Sequence, residues 1–556
     1  MGAATSSEVY DYVIIGSGFG GSVSALRLTE KGYRVLVLER GKRYRDQDFA
    51  RTTWNVFRYV WAPKLRCFGI LQISPFRDLF VLHGSGVGGG SLGYANVLMQ
   101  PTQETFKLAE WNIARPWGQV LEKHYRTARR MLGVAPNPRF WAADHLLKEI
   151  ADELGTSGTF HPSEVGAFFG REEQAGKEVP DPYFNGEGPA RTPCNYCGGC
   201  MVGCRFNSKN TLVKNYLYLA EKWGAEVRPT SEVHDVRPLA EPRADGARYQ
   251  VAYHSTTAWL FRPEKQVYGR NVIFAAGALG TLRLLFRCRD ITRSLGKISS
   301  CLGDKVRSNS ESLLGATSRS REPDYSQGIA ITSIIHADRV TTVEPVRYPA
   351  GSSLMRFLSG PEVEAEGSLA SRLLKTLAQI FTRPLDFLRT HVLPGWAQRT
   401  TILLVMQTED NWMRLKLGRS LFTLWGRNLV SEKDQVQGFA SRLEIGHRVL
   451  GMFSKKMNGI PAASFNESLF NIPLTAHILG GVNMGHGPAD SVIDPSCQIH
   501  NYPGLYVIDG SILPGNPGVN PSLTITAMAE YAMEQVPPRP GAAVRKPLMV
   551  ESESGL

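Results

Sequence analysis

The chain has no run of about eighteen apolar residues, so a membrane-crossing helix is not expected. Blocks of about five or six like charges are also missing. The net charge of +12 is therefore thinly spread, a mild bias toward acidic surfaces, and no nucleic-acid partner is expected. No charged-then-apolar leader precedes the first strand-like run near Val13, so the expected location is cytoplasmic. Cysteine is scarce: there are eight in 556 residues, and four of them crowd between Cys194 and Cys204. The other four, Cys67, Cys288, Cys301 and Cys497, are scattered, which is no secreted disulfide framework. Internal repeats are absent. A hydrophobic content of 42% over this length predicts a large core divided into about two structural units.

Glycine, by contrast, is plentiful and patterned. Residues 11–22 read as a short buried strand, a glycine-rich turn and the start of a helix over 22–31. A second strand over 34–38 ends at Glu39. In Gly16-x-Gly18-Phe19-x-Gly21 the first glycine permits the tight turn, the second lets backbone approach a pyrophosphate, and the third lets helix pack closely on strand. The helix start then offers unpaired N–H groups and a positive dipole end to an anion. Glu39 follows Gly21 by eighteen residues, where a ribose-binding acid belongs. An ordinary turn is the bland alternative, but strand, turn, helix, strand and acid together argue for a dinucleotide site.

Residues 45–80 are rich in aromatics and arginine and read as core and interface packing. The stretch Gly84-Ser85-Gly86-Val87-Gly88-Gly89-Gly90-Ser91 packs five glycines into seven residues, too many for a regular helix or strand. Such backbone lets something flat or anionic come close. Residues 105–155 read as amphipathic helix, 156–192 as loop, 211–223 as helix and 225–268 as alternating β-structure. Strand, glycine turn and helix recur over 272–281, through Ala276 and Gly277. Residues 310–470 mix strands and helices without a cofactor motif. Within them, 369–391 is basic and apolar at helical spacing: a packed surface helix, or a membrane-contacting entry to an active site. Residues 537–556 are rich in proline, alanine and charge and are expected to be disordered.

Two pieces near the C-terminus carry chemistry. One holds His477 just ahead of Gly480-Gly481. The other reads as a buried strand ending in Asp509-Gly510, then a glycine–proline loop and a helix starting near Pro521. N–H groups at such a helix start can face an anionic or electron-rich ring edge.

Over segments 11–40, 81–97, 271–285 and 470–535 the sequence resembles the glucose–methanol–choline (GMC) oxidoreductases, FAD-dependent alcohol oxidases and dehydrogenases. Within that family it is most similar to the bacterial cholesterol oxidase branch. The resemblance implies an α/β fold with a Rossmann-like FAD-binding domain made of residues 8–45, 80–125, 190–310 and 471–536. Residues 46–79, 126–189 and 311–470 would form a discontinuous α+β substrate-binding domain on a mixed sheet. It implies that Gly16, Gly18, Phe19, Gly21 and Glu39 hold the ADP half of FAD. Gly84, Gly86, Gly88, Gly89, Ser91 and Asn96 would pass the pyrophosphate and flavin, Val233 would meet the adenine, and Ala276 and Gly277 would join the cofactor site. Asp509, Gly510, Asn520 and Pro521 would cover the ribityl chain and pyrimidine end. Family members that bind FAD covalently use a His soon after the second glycine loop; Gly93 stands there, implying non-covalent FAD.

The resemblance also makes His477 and Asn520 the catalytic pair. An imidazole can accept the hydroxyl proton, and an amide can orient the oxygen. Residues 341–349 resemble the surroundings of an acid that shifts a carbon–carbon double bond, with Glu344 in its place. A carboxylate in an apolar pocket has its pKa raised, which suits proton shuttling. The plain alternatives are a satisfied core histidine and an ordinary Glu beside Arg347. The implied reaction is oxidation of a secondary alcohol on a bulky apolar substrate, a 3β-hydroxysteroid such as cholesterol, with or without isomerisation, passing electrons to O2 or another acceptor.

The cysteine run departs from that family. Cys194-x2-Cys197-x2-Cys200-x3-Cys204 has the spacing of a bacterial ferredoxin run, with Arg205 where the proline stands. A single 4Fe–4S cluster would need all four thiolates. Zinc usually draws two well-separated pairs, and a disulfide or free thiols is the bland alternative. A cluster near the flavin would let electrons leave through it, making a dehydrogenase. Other readings keep the fold and change the chemistry: a steroid C=C oxidoreductase or lyase, a long-chain-alcohol dehydrogenase with a cluster, or a non-catalytic electron-transfer flavoprotein. His477 with Asn520 favours alcohol oxidation.

Overall fold

Val13-Ile14-Ile15 offers water nothing polar on either face, so it belongs in a sheet covered on both sides. In the computed structural model, which describes residues 8–545 except 260, 364–367, 424 and 438–441, the strand Val9–Ile15 lies inside a seven-stranded sheet. It pairs in parallel with Val35–Leu38 on one side and Lys265–Phe274 on the other. Glu226–Arg228 extends the sheet beyond Val35–Leu38. The antiparallel strands Tyr249–Ser255 and Ser231–Pro238 extend the far side. Leu505–Val507 pairs in parallel with Val272–Phe274, which returns the C-terminal region to the first glycine turn.

The first helix, Phe19–Glu30, starts three residues earlier than the sequence suggests, because Gly18 takes an extended conformation and caps it. Its far side packs against Ser522–Glu534, where Arg27 bridges Glu30 at 2.8 Å and Glu530 at 2.7 Å. Residues 537–545, expected to be disordered, pack at the C-terminal end of the first helix: Arg539 N–H donates to Lys31 O and Arg545 N–H to Glu30 O. The rest of that stretch, 546–556, lies outside the described residues.

A second seven-stranded sheet runs Ser359–Pro361, Gly459–Ser464, Ser312–Ser318, Thr400–Gln407, Thr341–Val346, Ser333–His336, His161–Pro162. All its pairings are antiparallel, so mixed pairing belongs to the first sheet instead. Side chains alternate across it. Leu314, Val343, Leu403 and Val405 pack with Val449, Leu450 and Phe453 of the helix Glu444–Lys456, while Val346 and Leu404 join a separate apolar cluster on the opposite face. A small sheet ties the two halves: Leu474–Thr475 pairs in parallel with Phe80–Val81 of the strand leading into the second glycine loop. The run 369–391 forms two helices, Leu369–Thr382 and Pro384–His391, divided where Pro384 lacks the N–H to continue. Among the described residues no helix is long and apolar enough to cross a membrane.

Candidate active site

Between the two sheets lies a cavity of about 930 Å³. Its polar end is built from glycines with separate tasks. Gly16 has φ +102°, and a Cβ there would stand 2.3 Å from Ala275 O. A Cβ on Gly21 would stand 2.1 Å from Gly16 O, so only glycine lets this helix approach its strand. Gly18 is the opposite case: nothing lies within 4 Å of its Cβ position, and its backbone faces the cavity. Phe19, Glu39, Gly84, Gly89, Val233, Ala276, Gly277, Asp509, Gly510, Asn520 and Pro521 line the same cavity. Gly93 lines it too. Glu39 accepts hydrogen bonds from Ser17 N (3.1 Å), Ser17 Oγ (2.8 Å) and Gly41 N (2.7 Å). Asp509 accepts from Ser511 N and Oγ and from Thr281 Oγ1, and burial raises its pKa against those bonds.

Four expected cofactor residues stand behind this wall rather than in it. Gly86 O accepts from Ser17 Oγ, and Gly88 N donates to it, so the second glycine loop is stitched to the first. Ser91 Oγ donates to Gly88 O and accepts from Leu212 N. Asn96 faces a separate small hollow beside the cysteines. Gly21, too, acts by packing rather than by contact with the cavity.

At the apolar end, strand pairing brings distant side chains together. His477 lies just past the short strand Leu474–Thr475 and faces the cavity, its Nδ1 2.9 Å from Glu311 Oε2. That contact has the distance of an ion pair without the alignment of a hydrogen bond. Glu311 is held in turn by Thr475 Oγ1 (2.7 Å) and Ala476 N (3.1 Å). A carboxylate at Nδ1 leaves Nε2 for a substrate, the arrangement in which imidazole serves as a proton acceptor. Glu344 is fully buried, one layer behind the lining, on the same strand face as Val346. Burial pushes its pKa up to about 8; the neighbouring Asn520 amide lowers it and Glu311 raises it. Both Glu344 oxygens and Asn520 Oδ1 are buried without an aligned partner, the kind of polar group that calls for a functional explanation. Asn309 sets the Asn520 loop, accepting from Gly518 N and donating to Val519 O.

Glu311 belongs to no motif and was missed by sequence reasoning. The available signal was its place in Ser308-Asn309-Ser310-Glu311-Ser312, a polar run that is buried throughout, with Asn309 and Ser310 at positive φ.

The four cysteines are free, and they do not form the mononuclear metal site that their spacing allowed. Among the described residues, no three His, Cys, Asp or Glu side chains are arranged to hold a metal ion. The loop is pinned to separate neighbours, Cys194 N–H to Phe168 O and Gly198 N–H to Gly328 O, which sets the thiols around the wall of a small hollow.

Comparison with known proteins agrees with this geometry. Residues 456–529 match the family description "GMC oxidoreductase", and residues 14–44 match "NAD(P)-binding Rossmann-like domain". A cholesterol oxidase of Acinetobacter baumannii is 43% identical over 530 residues, covering 95% of this chain and 94% of that protein. One of Mycobacterium tuberculosis (strain CDC 1551 / Oshkosh) is 44% identical over 552 residues, covering 97% and 93%. The chain belongs to the GMC oxidoreductases, in the cholesterol oxidase branch. Like the rest of the family it is an FAD-dependent oxidoreductase acting on CH–OH groups. At the level of fold it matches the crystal structure of pyridoxine 4-oxidase from Mesorbium loti, with TM-score 0.56 and 15% identity, over 94% of this chain and 98% of that one.

The residues of this GMC oxidoreductase fit FAD. Bare backbone at Gly18, Gly90 and Gly277 leaves open space where a Cβ would otherwise stand, and Gly18 caps a helix start. Gly18→Val is therefore expected to fold with a melting temperature near that of the natural chain but to purify without flavin. Gly21→Val is expected to lose the fold as well. Flavin absorbance and thermal melting of the two variants check this; a yellow Gly18→Val protein would contradict it.

Proposed function

We propose that this enzyme oxidises the 3-hydroxyl of a 3β-hydroxysteroid such as cholesterol to the ketone. The observation that carries the reading is the pair His477 and Asn520 on the wall of the cavity, with the buried Glu344 directly behind Asn520. The walls there, Val346, Tyr348, Trp396, Ile402 and Leu404, suit a rigid hydrocarbon skeleton with one polar end. The cholesterol oxidases at 43% and 44% identity over nearly the whole chain support the same substrate class.

Bound non-covalently, FAD supplies the acceptor for the hydride that leaves the carbinol carbon. Gly16, Gly18, Phe19, Glu39 and Val233 would hold its ADP half, and Asp509, Gly510, Asn520 and Pro521 its other end. His477 takes the hydroxyl proton on Nε2, with Glu311 behind Nδ1 to hold the ring and offset the imidazolium charge. Asn520 orients the hydroxyl oxygen. Glu344, made a stronger base by the burial that raises its pKa to about 8, would take as carboxylate the proton from the carbon between the ketone and the double bond, and return it as carboxylic acid to the far carbon of that double bond. Dioxygen is the acceptor the cholesterol oxidase relatives suggest.

Substrate entry follows from the helix pair Leu369–Thr382 and Pro384–His391. Leu373, Leu374, Leu377, Phe381, Leu385 and Leu388 are exposed along it, while Thr390 and the nearby Met355 and Leu358 line the cavity. An apolar helix face with Lys375 and Arg383 beside it supports docking on an anionic lipid surface, from which a sterol could pass inward. Anaerobic mixing with cholesterol, in detergent and in phosphatidylserine-containing vesicles, tests both parts. Bleaching of the flavin band is expected, and Phe381→Asp with Leu374→Asp should slow it on vesicles while sparing it in detergent. No bleaching with any sterol or long-chain alcohol would sink the reading.

A further inference from the structure

The cysteine run carries a second site. Cys194, Cys197, Cys200 and Cys204 line one small hollow, and Lys209 forms part of its wall. Lys209 is only 2% exposed, and its ammonium donates to three backbone carbonyls, Leu92 O (3.0 Å), Tyr94 O (2.8 Å) and Cys200 O (2.8 Å). Among the described residues no carboxylate pairs with it. A buried cation without a counter-charge is costly. An anionic group held by the cysteines would supply that counter-charge. Donors are already aimed at sulfur: Tyr196 N–H points to Cys194 Sγ at 3.4 Å, and the Ala330 N–H and the Asn96 amide point to Cys200. The last contact gives Asn96 a task that the cofactor cavity does not.

We propose that the four cysteines hold one iron–sulfur cluster of the four-iron type, with Lys209 as its buried counter-charge. The place is also suited to redox work. Met201, next to Cys200, lines the flavin cavity, as does Tyr94, whose carbonyl holds Lys209. Cys197, on the other side, is exposed. The site thus spans from the cofactor wall to the surface. Its role rests on the alcohol-oxidising reading: oxidation of one alcohol releases two electrons and two protons. Beside dioxygen, the cluster would offer the two electrons a second exit, singly, to two equivalents of a one-electron acceptor such as a ferric or haem carrier, with the protons going to solvent.

The site itself is tested without any substrate. Wild-type protein expressed with iron supplementation and purified anaerobically should contain about four iron atoms and about four acid-labile sulfides per chain. Reduction with dithionite should produce a paramagnetic signal in low-temperature electron paramagnetic resonance. Cys200→Ser should lose most of the iron while keeping full flavin content, and Lys209→Met should move the cluster's midpoint potential downward. Zinc in place of iron, or fewer than about one iron per two chains after anaerobic reconstitution, overturns the proposal. Should the Cys200 variant fail to fold, the wild-type iron and sulfide content decides alone. A cluster found in a protein that oxidises no alcohol would leave the site standing and remove only its role.

Discussion

His477→Ala is expected to lower turnover by about 10²–10⁴-fold, the range for losing a positioned general base, while the protein stays yellow and loaded with FAD. The side chain faces the substrate end of the cavity and takes no part in the glycine-built cofactor end, so flavin binding should survive its removal. Glu311→Gln should act through the same imidazole. It keeps the shape of the side chain and removes the charge behind Nδ1, so kcat should fall with KM little changed. The double variant should be no worse than His477→Ala, because Glu311 has nothing left to position. Stopped-flow flavin reduction with cholesterol reads all three. Unchanged turnover in His477→Ala would refute the base assignment, and additive losses in the double variant would detach Glu311 from it.

Glu344→Gln is expected to separate two activities and to change the pH dependence of stability. Oxidation should continue, but with no carboxyl to carry a proton the unconjugated ketone should accumulate, seen as missing enone absorbance in the ultraviolet. The stability effect has a definite sign. With its folded pKa raised to about 8 by burial, Glu344 keeps a proton that the unfolded chain releases near pH 4.5. Its contribution is therefore full below the unfolded value and is lost as pH rises through the interval up to about 8. The loss is on the order of 5 kcal/mol for a fully buried carboxyl. Glutamine carries no charge to bury, so the variant's melting temperature should gain on the natural chain at pH 9 and differ little at pH 5. Parallel melting curves across that range would show that Glu344 is not held neutral.

The cofactor end is legible in the sequence because each part of it is local. A positive φ at Gly16, an uncovered Gly18 and a tight helix contact at Gly21 are demands on single residues, and only glycine meets them. Gly86, Gly88 and Ser91 show the limit of that logic. Their composition marks a loop near the cofactor, but which of its groups face the cavity and which bond back to Ser17 and Leu212 depends on how two loops stack. The early start of the first helix, and the docking of residues 537–545 at its far end, likewise come from neighbours rather than from propensity.

Sequence alone therefore settled the family, the cofactor and the order of the glycine turns, since short-range sterics and apolar periodicity act within a few residues. The arrangement of the proposed reacting end comes from strands that pair across hundreds of residues. Leu474–Thr475 lies beside Phe80–Val81, and Leu505–Val507 beside Val272–Phe274. Those pairings set His477 against Glu311 and bring Asn520 beside Glu344. The same long-range packing buries Lys209 behind four cysteines, a juxtaposition that spacing alone does not reveal. Glu311 had no motif to announce it because a positioning carboxylate is defined by what it touches, and that is a property of the folded chain.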